Sequence, residues 1–138
     1  NEPCDSPRAK AQAGPHTVRS VLVSHPVESC GFVVERAGTA LGISGDTGPT
    51  QKLWELLNQT PNLKALLLET SFPDELQDLA DVSGHLTPRT LRGEVGEFHR
   101  NGADVLLYPL KPAFVAELKR QVAGHPVKVL ELGQSFDL

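Results

Sequence analysis

Three short segments of this chain place an acid or a histidine where it can do metal or proton chemistry. Ser44-Gly45-Asp46-Thr47-Gly48-Pro49 presents a carboxylate where an apolar run ends, and a Gly-Pro turn follows. Leu68-Glu69-Thr70-Ser71-Phe72 ends a second apolar run on another acid. Ser83-Gly84-His85-Leu86-Thr87-Pro88 sets a histidine just ahead of a Thr-Pro pair that reads as a helix cap with Pro at the first helical position. Carboxylate and neutral imidazole both bind zinc, and histidine is the commonest metal ligand. On that chemistry Asp46 and His85 are candidate ligands, while Glu69 can accept the hydrogen bond that orients a ligand. Each residue also has a plain structural reading: an Asp turn or helix cap for Asp46, a solvated strand end for Glu69, a loop histidine preceding a helix for His85. Two ligands also fall short of the three or four protein ligands of a zinc site.

Other chemistries find no support. Gly42, Gly45 and Gly48 recur every three residues, which is neither the dinucleotide fingerprint nor the P-loop pattern, and no GxSxG elbow is present. His99 reads as the polar side of a helix, His125 sits in a Gly-His-Pro turn, and His16 precedes the first expected strand. Two cysteines make no disulfide framework. We expect Cys30 to be a small buried strand residue and Cys4 to lie on a loose tail.

The elements that must position these residues follow from periodicity. Residues 1–15 mix Pro, Gly, Ala, Lys, Arg and Asp without an apolar period and read as a flexible tail or severed linker. Strands are expected over Val18–Val23, Cys30–Glu35, Thr39–Ser44, Leu63–Leu68, Val105–Tyr108 and Val127–Leu132. Helices are expected from Thr50 through Leu57, from Pro73 through Ala80, from Thr87 to Asn101-Gly102, and from Pro112 to Gly124. The order β-β-β-α-β-α-α-β-α-β, with late strands alternating with helices, is that of an α/β protein. With 138 residues, 39% of them hydrophobic, the chain has material for a core of its own. Its net charge of −4 argues against an electrostatic grip on a nucleic-acid polymer, and its short apolar runs exclude a membrane-spanning helix.

Taken in order, Gly-Asp-Thr-Gly-Pro-Thr, Leu-Glu-Thr-Ser-Phe and Gly-His-Leu-Thr-Pro resemble the metallo-β-lactamase superfamily. The likeness is greatest to the class II cyclic-nucleotide phosphodiesterases, with the tRNA 3′-end-processing endonucleases more distant. His25-Pro26-Val27-Glu28-Ser29-Cys30-Gly31-Phe32 resembles the family segment before the strand that carries the bridging Asp. The resemblance covers residue 18 to the C-terminus and implies half of an αββα sandwich over residues 16–138. It implies that Asp46 bridges two zinc ions, that His85 is the last histidine ligand, on the second metal, and that His25 lies on the substrate side. The implied reaction is hydrolysis of a 3′,5′-cyclic nucleotide by hydroxide generated between the two zinc ions.

The family's H-x-H-x-D-H ligand cluster has no counterpart in this sequence. The chain also begins at Asn1 and contains no Met, which points to a processed, truncated or engineered start. We therefore expect a chain inactive alone, with an apolar sheet face that needs a companion: the missing N-terminal half or a second copy. The alternative is a non-catalytic binding module on the same scaffold. No leader is visible and cysteines are few, which favours the cytoplasm and leaves the periplasm open.

Overall fold

The structure, a computed structural model, describes residues 9–99, 102–109 and 111–138. Seven strands form one sheet in sequence order: β1 (Ala9–Ala13), β2 (His16–Leu22), β3 (Cys30–Arg36), β4 (Thr39–Ile43), β5 (Leu63–Glu69), β6 (Asp104–Tyr108) and β7 (Lys128–Val129). The first four pair antiparallel, and β4 through β7 pair parallel. Parallel neighbours need crossovers, and the helices supply them: α1 (Lys52–Asn58), then α2 (Gln77–Ser83) with α3 (Pro88–Gly96), then α4 (Val115–Val122). No helix among the described residues is long and apolar enough to cross a membrane.

The helices cover one face of the sheet. Val33, Leu66, Leu68, Val105 and Leu107 point into that layer and form one buried cluster with Leu53 and Leu57 of α1, Leu91 of α3 and Val122 of α4. Glycine lets α1 approach closely. A Cβ at Gly31 would lie 2.7 Å from Leu53 Cδ1, and one at Gly42 would lie 2.6 Å from Leu57 Cδ2. Because side chains alternate along a strand, the opposite face carries Val18, Phe32, Val34, Leu41, Ile43 and Leu67, all half-buried. The C-terminal Leu138 shares a shallow cleft on this side with His16, Val34 and Leu41.

An α/β architecture is therefore present, with differences from the sequence expectation. Residues Ala9–Ala13, assigned above to the tail, form β1, joined to β2 by a turn at Gly14 with φ of 57°. His16 begins β2 rather than preceding the strands. Thr50 does not cap α1; Gln51 holds that position, and the Thr50 N–H donates to Glu94. Pro73 leads into a 3-10 turn, Asp74–Leu76, before α2. The Thr87 cap on α3 is present with Thr90 completing a capping box, but the helix ends at Gly96, short of Asn101, which lies outside the described residues. The last strand shrinks to Lys128–Val129. Cys30 is half-buried and disulfide-bonded rather than a free buried thiol, and Cys4 lies outside the described residues.

One long-range tether joins α1 to α3. The Trp54 indole N–H donates to Glu94, whose same oxygen accepts the Thr50 N–H at 3.3 Å, and Trp54 packs on Phe98 with ring centroids 5.9 Å apart. Trp54 is buried, so Glu94→Ala strands an indole donor away from water. The expected cost is about 1–3 kcal/mol, read as a lower urea midpoint with unchanged slope. Glu94→Gln, which keeps an acceptor oxygen, recovers most of it.

Candidate metal centre

The C-terminal ends of β2, β4, β5 and β6 lie along one edge of the sheet, because β2 and β4 run in the same direction across the intervening antiparallel β3. Layered α/β sheets present their ligands at such an edge. Here it gathers the residues singled out above from segments far apart in sequence.

Asp46 is held by its own turn and by the β2–β3 connection. The Ser44 N–H donates to the Leu67 carbonyl at 2.9 Å, extending the parallel ladder one residue beyond β4. Gly45 then reverses the chain with φ of 63°, packed so tightly that a Cβ would sit 2.4 Å from the Cys30 carbonyl oxygen. Ser29 Oγ donates to the Asp46 carbonyl at 2.7 Å, and the Gly48 N–H donates to the Ser24 carbonyl at 2.8 Å. Those bonds bring the His25 loop beside the Asp46 loop.

Glu69 ends β5 with its side chain fully buried. Its backbone N–H donates to Ser44 Oγ at 2.9 Å, one carboxylate oxygen accepts from Ser71 Oγ, and the other lies 3.0 Å from His85 Nδ1. With Glu69 ionised, Nδ1–H is the donor, so the ring is fixed in the tautomer that leaves Nε2 free as a ligand or proton carrier. His85 is delivered by the end of α2. Gly84 adopts φ of 74°, the His85 N–H donates to the Ala80 carbonyl at 2.9 Å, and Thr87 caps α3 two residues on. Gly84 also packs on the His25-Pro26 pair, and His25 and Phe72 meet the His85 ring edgewise at centroid distances of 5.4 and 5.6 Å.

Single ligating atoms of Asp46, Glu69 and His85 lie within 4.8 Å of one another, the one such gathering among the described residues. Burial raises the Glu69 carboxyl above its ordinary value; the bonds from Ser71 and His85 and the His85 charge oppose that rise, and the Asp46 charge adds to it. An apolar cleft of about 300 Å³ between α3 and α4, lined by Leu91, Val95 and Val122 among others, shares no residue with this cluster. It lacks the convergent acids that the strand-end cluster has.

The sequence singles out all three residues but leaves their mutual distance open. It gives no prominence to Ser44 and Ser71, the hydroxyls that fix Glu69, although both stand in the quoted segments. Nor does it single out Tyr108, which is opposite Glu69 in the parallel register and lies near Ser44 and the Gly45 backbone. Burial raises the Tyr108 phenol above its ordinary value, and the Glu69 and Asp46 charges add to the rise. The one signal for Tyr108 is its place at a strand end beside an acidic strand end. His16, His99 and His125 lie outside the cluster.

The donor set suits a borderline cation such as zinc, with one carboxylate and one imidazole nitrogen available. Both Glu69 oxygens already accept hydrogen bonds, one from Ser71 and one from His85, which leaves Asp46 and the second His85 nitrogen as the freer donors. Asp46 and His85 could therefore hold a metal ion between them, and two protein ligands are fewer than the three or four of a zinc site.

No family model and no curated protein matches this sequence. Solved structures do match in three dimensions. The metallo-beta-lactamase fold protein YhfI from Bacillus subtilis superposes with a TM-score of 0.70 at 18% identity, over 96% of this chain and 54% of its own. The short form of human tRNase Z gives 0.65 at 18% identity, over 88% and 42%. Igni18, a metallo hydrolase from the archaeon Ignicoccus hospitalis, gives 0.57 at 15%, over 88% and 53%. The chain thus spans about half the length of the structures it matches, and over that span it has the metallo-β-lactamase fold.

Proposed function

We propose that this chain is the C-terminal half of a metal-dependent phosphodiesterase, with 3′,5′-cyclic nucleotides as its substrates. The observation that carries the proposal is the gathering of Asp46, Glu69 and His85 within 4.8 Å at the strand ends of this fold. Asp46 and His85 Nε2 would hold the metal, with zinc the cation their donor types suit. A metal bound there supplies Lewis-acid activation of water and neutralises charge on the phosphodiester. The rest falls to the chain. Glu69 holds the His85 ring in one tautomer and one orientation, Ser71 and Ser44 hold Glu69, and His25 borders the substrate side. A net charge of −4 favours a small phosphodiester over a long polyanion.

The remaining ligands belong to a companion half whose sheet packs on the half-buried face carrying Phe32, Val34, Leu41 and Ile43. In the experiment that tests this, the chain is mixed with an N-terminal half bearing the H-x-H-x-D-H cluster, and zinc is added. Hydrolysis of adenosine 3′,5′-cyclic monophosphate is the expected gain. No gain over either half alone refutes it and favours the non-catalytic module.

The full burial of Glu69 behind His85 supports a second use of the same histidine, as proton donor to the leaving oxygen, since a buried carboxylate stabilises the imidazolium. His85→Ala separates the two: as a ligand its loss lowers zinc affinity as Asp46→Ala does, and as a proton donor it leaves zinc affinity intact.

A further inference from the structure

A row of ring contacts leads outward from the candidate metal centre to a single cation. Phe72 meets the His85 ring edgewise, and Lys111 Nζ sits over the Phe72 ring, 5.2 Å from its centroid. Phe114 packs against Phe72 with centroids 6.1 Å apart. Phe72 is buried, Phe114 is half-buried and Lys111 is exposed, so an exposed lysine and a partly accessible aromatic residue stand on a buried ring. The fixing is local as well. Lys111 precedes Pro112 and forms the cap of the 3-10 turn Pro112–Phe114, which fastens the backbone from which both side chains leave. Lys111 takes part in no ion pair among the described residues. The ammonium is therefore held by a ring, not neutralised by a carboxylate, and is left available to an anion.

We infer that Lys111, with Phe72 and Phe114, forms a nucleotide-phosphate subsite beside His85, the ammonium taking a phosphate oxygen and the Phe114 ring a face of the base. The inference rests on the phosphodiesterase reading for its substrate class, and it adds a specificity residue that neither metal nor proton transfer requires. The pairing of a cation with an aromatic face selects a ligand with a negative charge near a planar ring, which describes a nucleotide better than a simple phosphate ester.

The test uses the full chain without metal, so it does not depend on turnover. Adenosine 3′,5′-cyclic monophosphate, adenosine and inorganic phosphate are titrated into wild type, Lys111→Ala and Lys111→Arg, with binding followed by NMR shift changes. Wild type is expected to bind the cyclic nucleotide saturably, with affinity falling as salt rises. Lys111→Ala should weaken that binding by about three- to fivefold, the range of a solvent-exposed charge pair, and Lys111→Arg should retain it. Adenosine binding should be the same in all three proteins. Equal nucleotide binding by Lys111→Ala, an equal loss for adenosine, or no saturable binding by wild type overturns the subsite. If the mixed halves fail to hydrolyse while the Lys111 dependence persists, the catalytic reading falls and the subsite stands.

Discussion

If the proposed metal-dependent hydrolysis is reconstituted by mixing the two halves, Glu69→Gln is expected to lower it by roughly ten- to a hundredfold, the usual effect of removing a carboxylate behind a metal-bound histidine, while the chain stays folded. The substitution keeps the shape of the side chain. Its amide oxygen can accept from His85 Nδ1–H, and the Ser71 hydroxyl can turn to accept from the new NH₂. What disappears is the negative charge, which raises the basicity of His85 and stabilises it when protonated. Both uses of His85 lose by this, so turnover falls in either case. Glu69→Ala goes further, leaving the His85 and Ser71 donors unpaired in a buried space, and should destabilise the fold as well.

The same substitution has a distinct pH signature in the metal-free chain. Burial raises the Glu69 carboxyl in the folded protein above its value in the unfolded chain. Its contribution to stability is therefore complete below the ordinary glutamate range and is lost as pH rises through the raised value. Glu69→Gln has no proton to release. The difference in urea midpoint between variant and wild type should thus shift in favour of the variant as pH climbs through that window, and parallel curves would contradict the assignment. Neutralising a buried charge and disabling a site are separate effects, and the two measurements read them separately.

The residues that are legible in the sequence are those whose signals are local. Thr87-Pro88 caps α3 because a hydroxyl and a proline act within one turn. Leu63–Leu68 reads as a strand because an apolar run between turn signals needs no partner to be recognised. The misses need partners. Ala9–Ala13 has little intrinsic strand preference and becomes β1 only by pairing with β2. Thr50 has the chemistry of a cap, but Glu94, 44 residues on, takes its N–H. The expected reach of α3 to Asn101 leaves out the effect of Gly93 and Gly96, which weaken its last turn. At the site, residue types are legible and distances are not. That Tyr108 stands opposite Glu69, and that Lys111 reaches Phe72, depends on the β5–β6 register and on the turn at Pro112.

Gly45→Ala is expected to cost on the order of 3 kcal/mol, from about 1–2 kcal/mol for a left-handed backbone on an L residue and a further 1–3 for a methyl with nowhere to go. The obstacle is the Cys30 carbonyl oxygen, 2.4 Å from the added carbon, with Ser29 Oγ at 3.4 Å. A carbonyl in a paired strand cannot swing aside as a side chain can. Gly14 and Gly38 supply the controls, since both have positive φ, 57° and 77°, and at neither would an added methyl meet an atom within 4 Å. Their Ala variants should lose only the backbone part, so the excess in Gly45→Ala measures the contact. The damage should not stop at stability. Asp46 is the next residue, and its carbonyl is the acceptor for Ser29, so relief of the clash by moving this turn carries the carboxylate away from His85. Zinc affinity of the reconstituted halves should therefore drop in Gly45→Ala and not in Gly14→Ala, even at temperatures where both are fully folded. If Gly45→Ala is no less stable than Gly14→Ala, the β2–β3 loop yields freely, and Asp46 is not held in place by the turn that presents it.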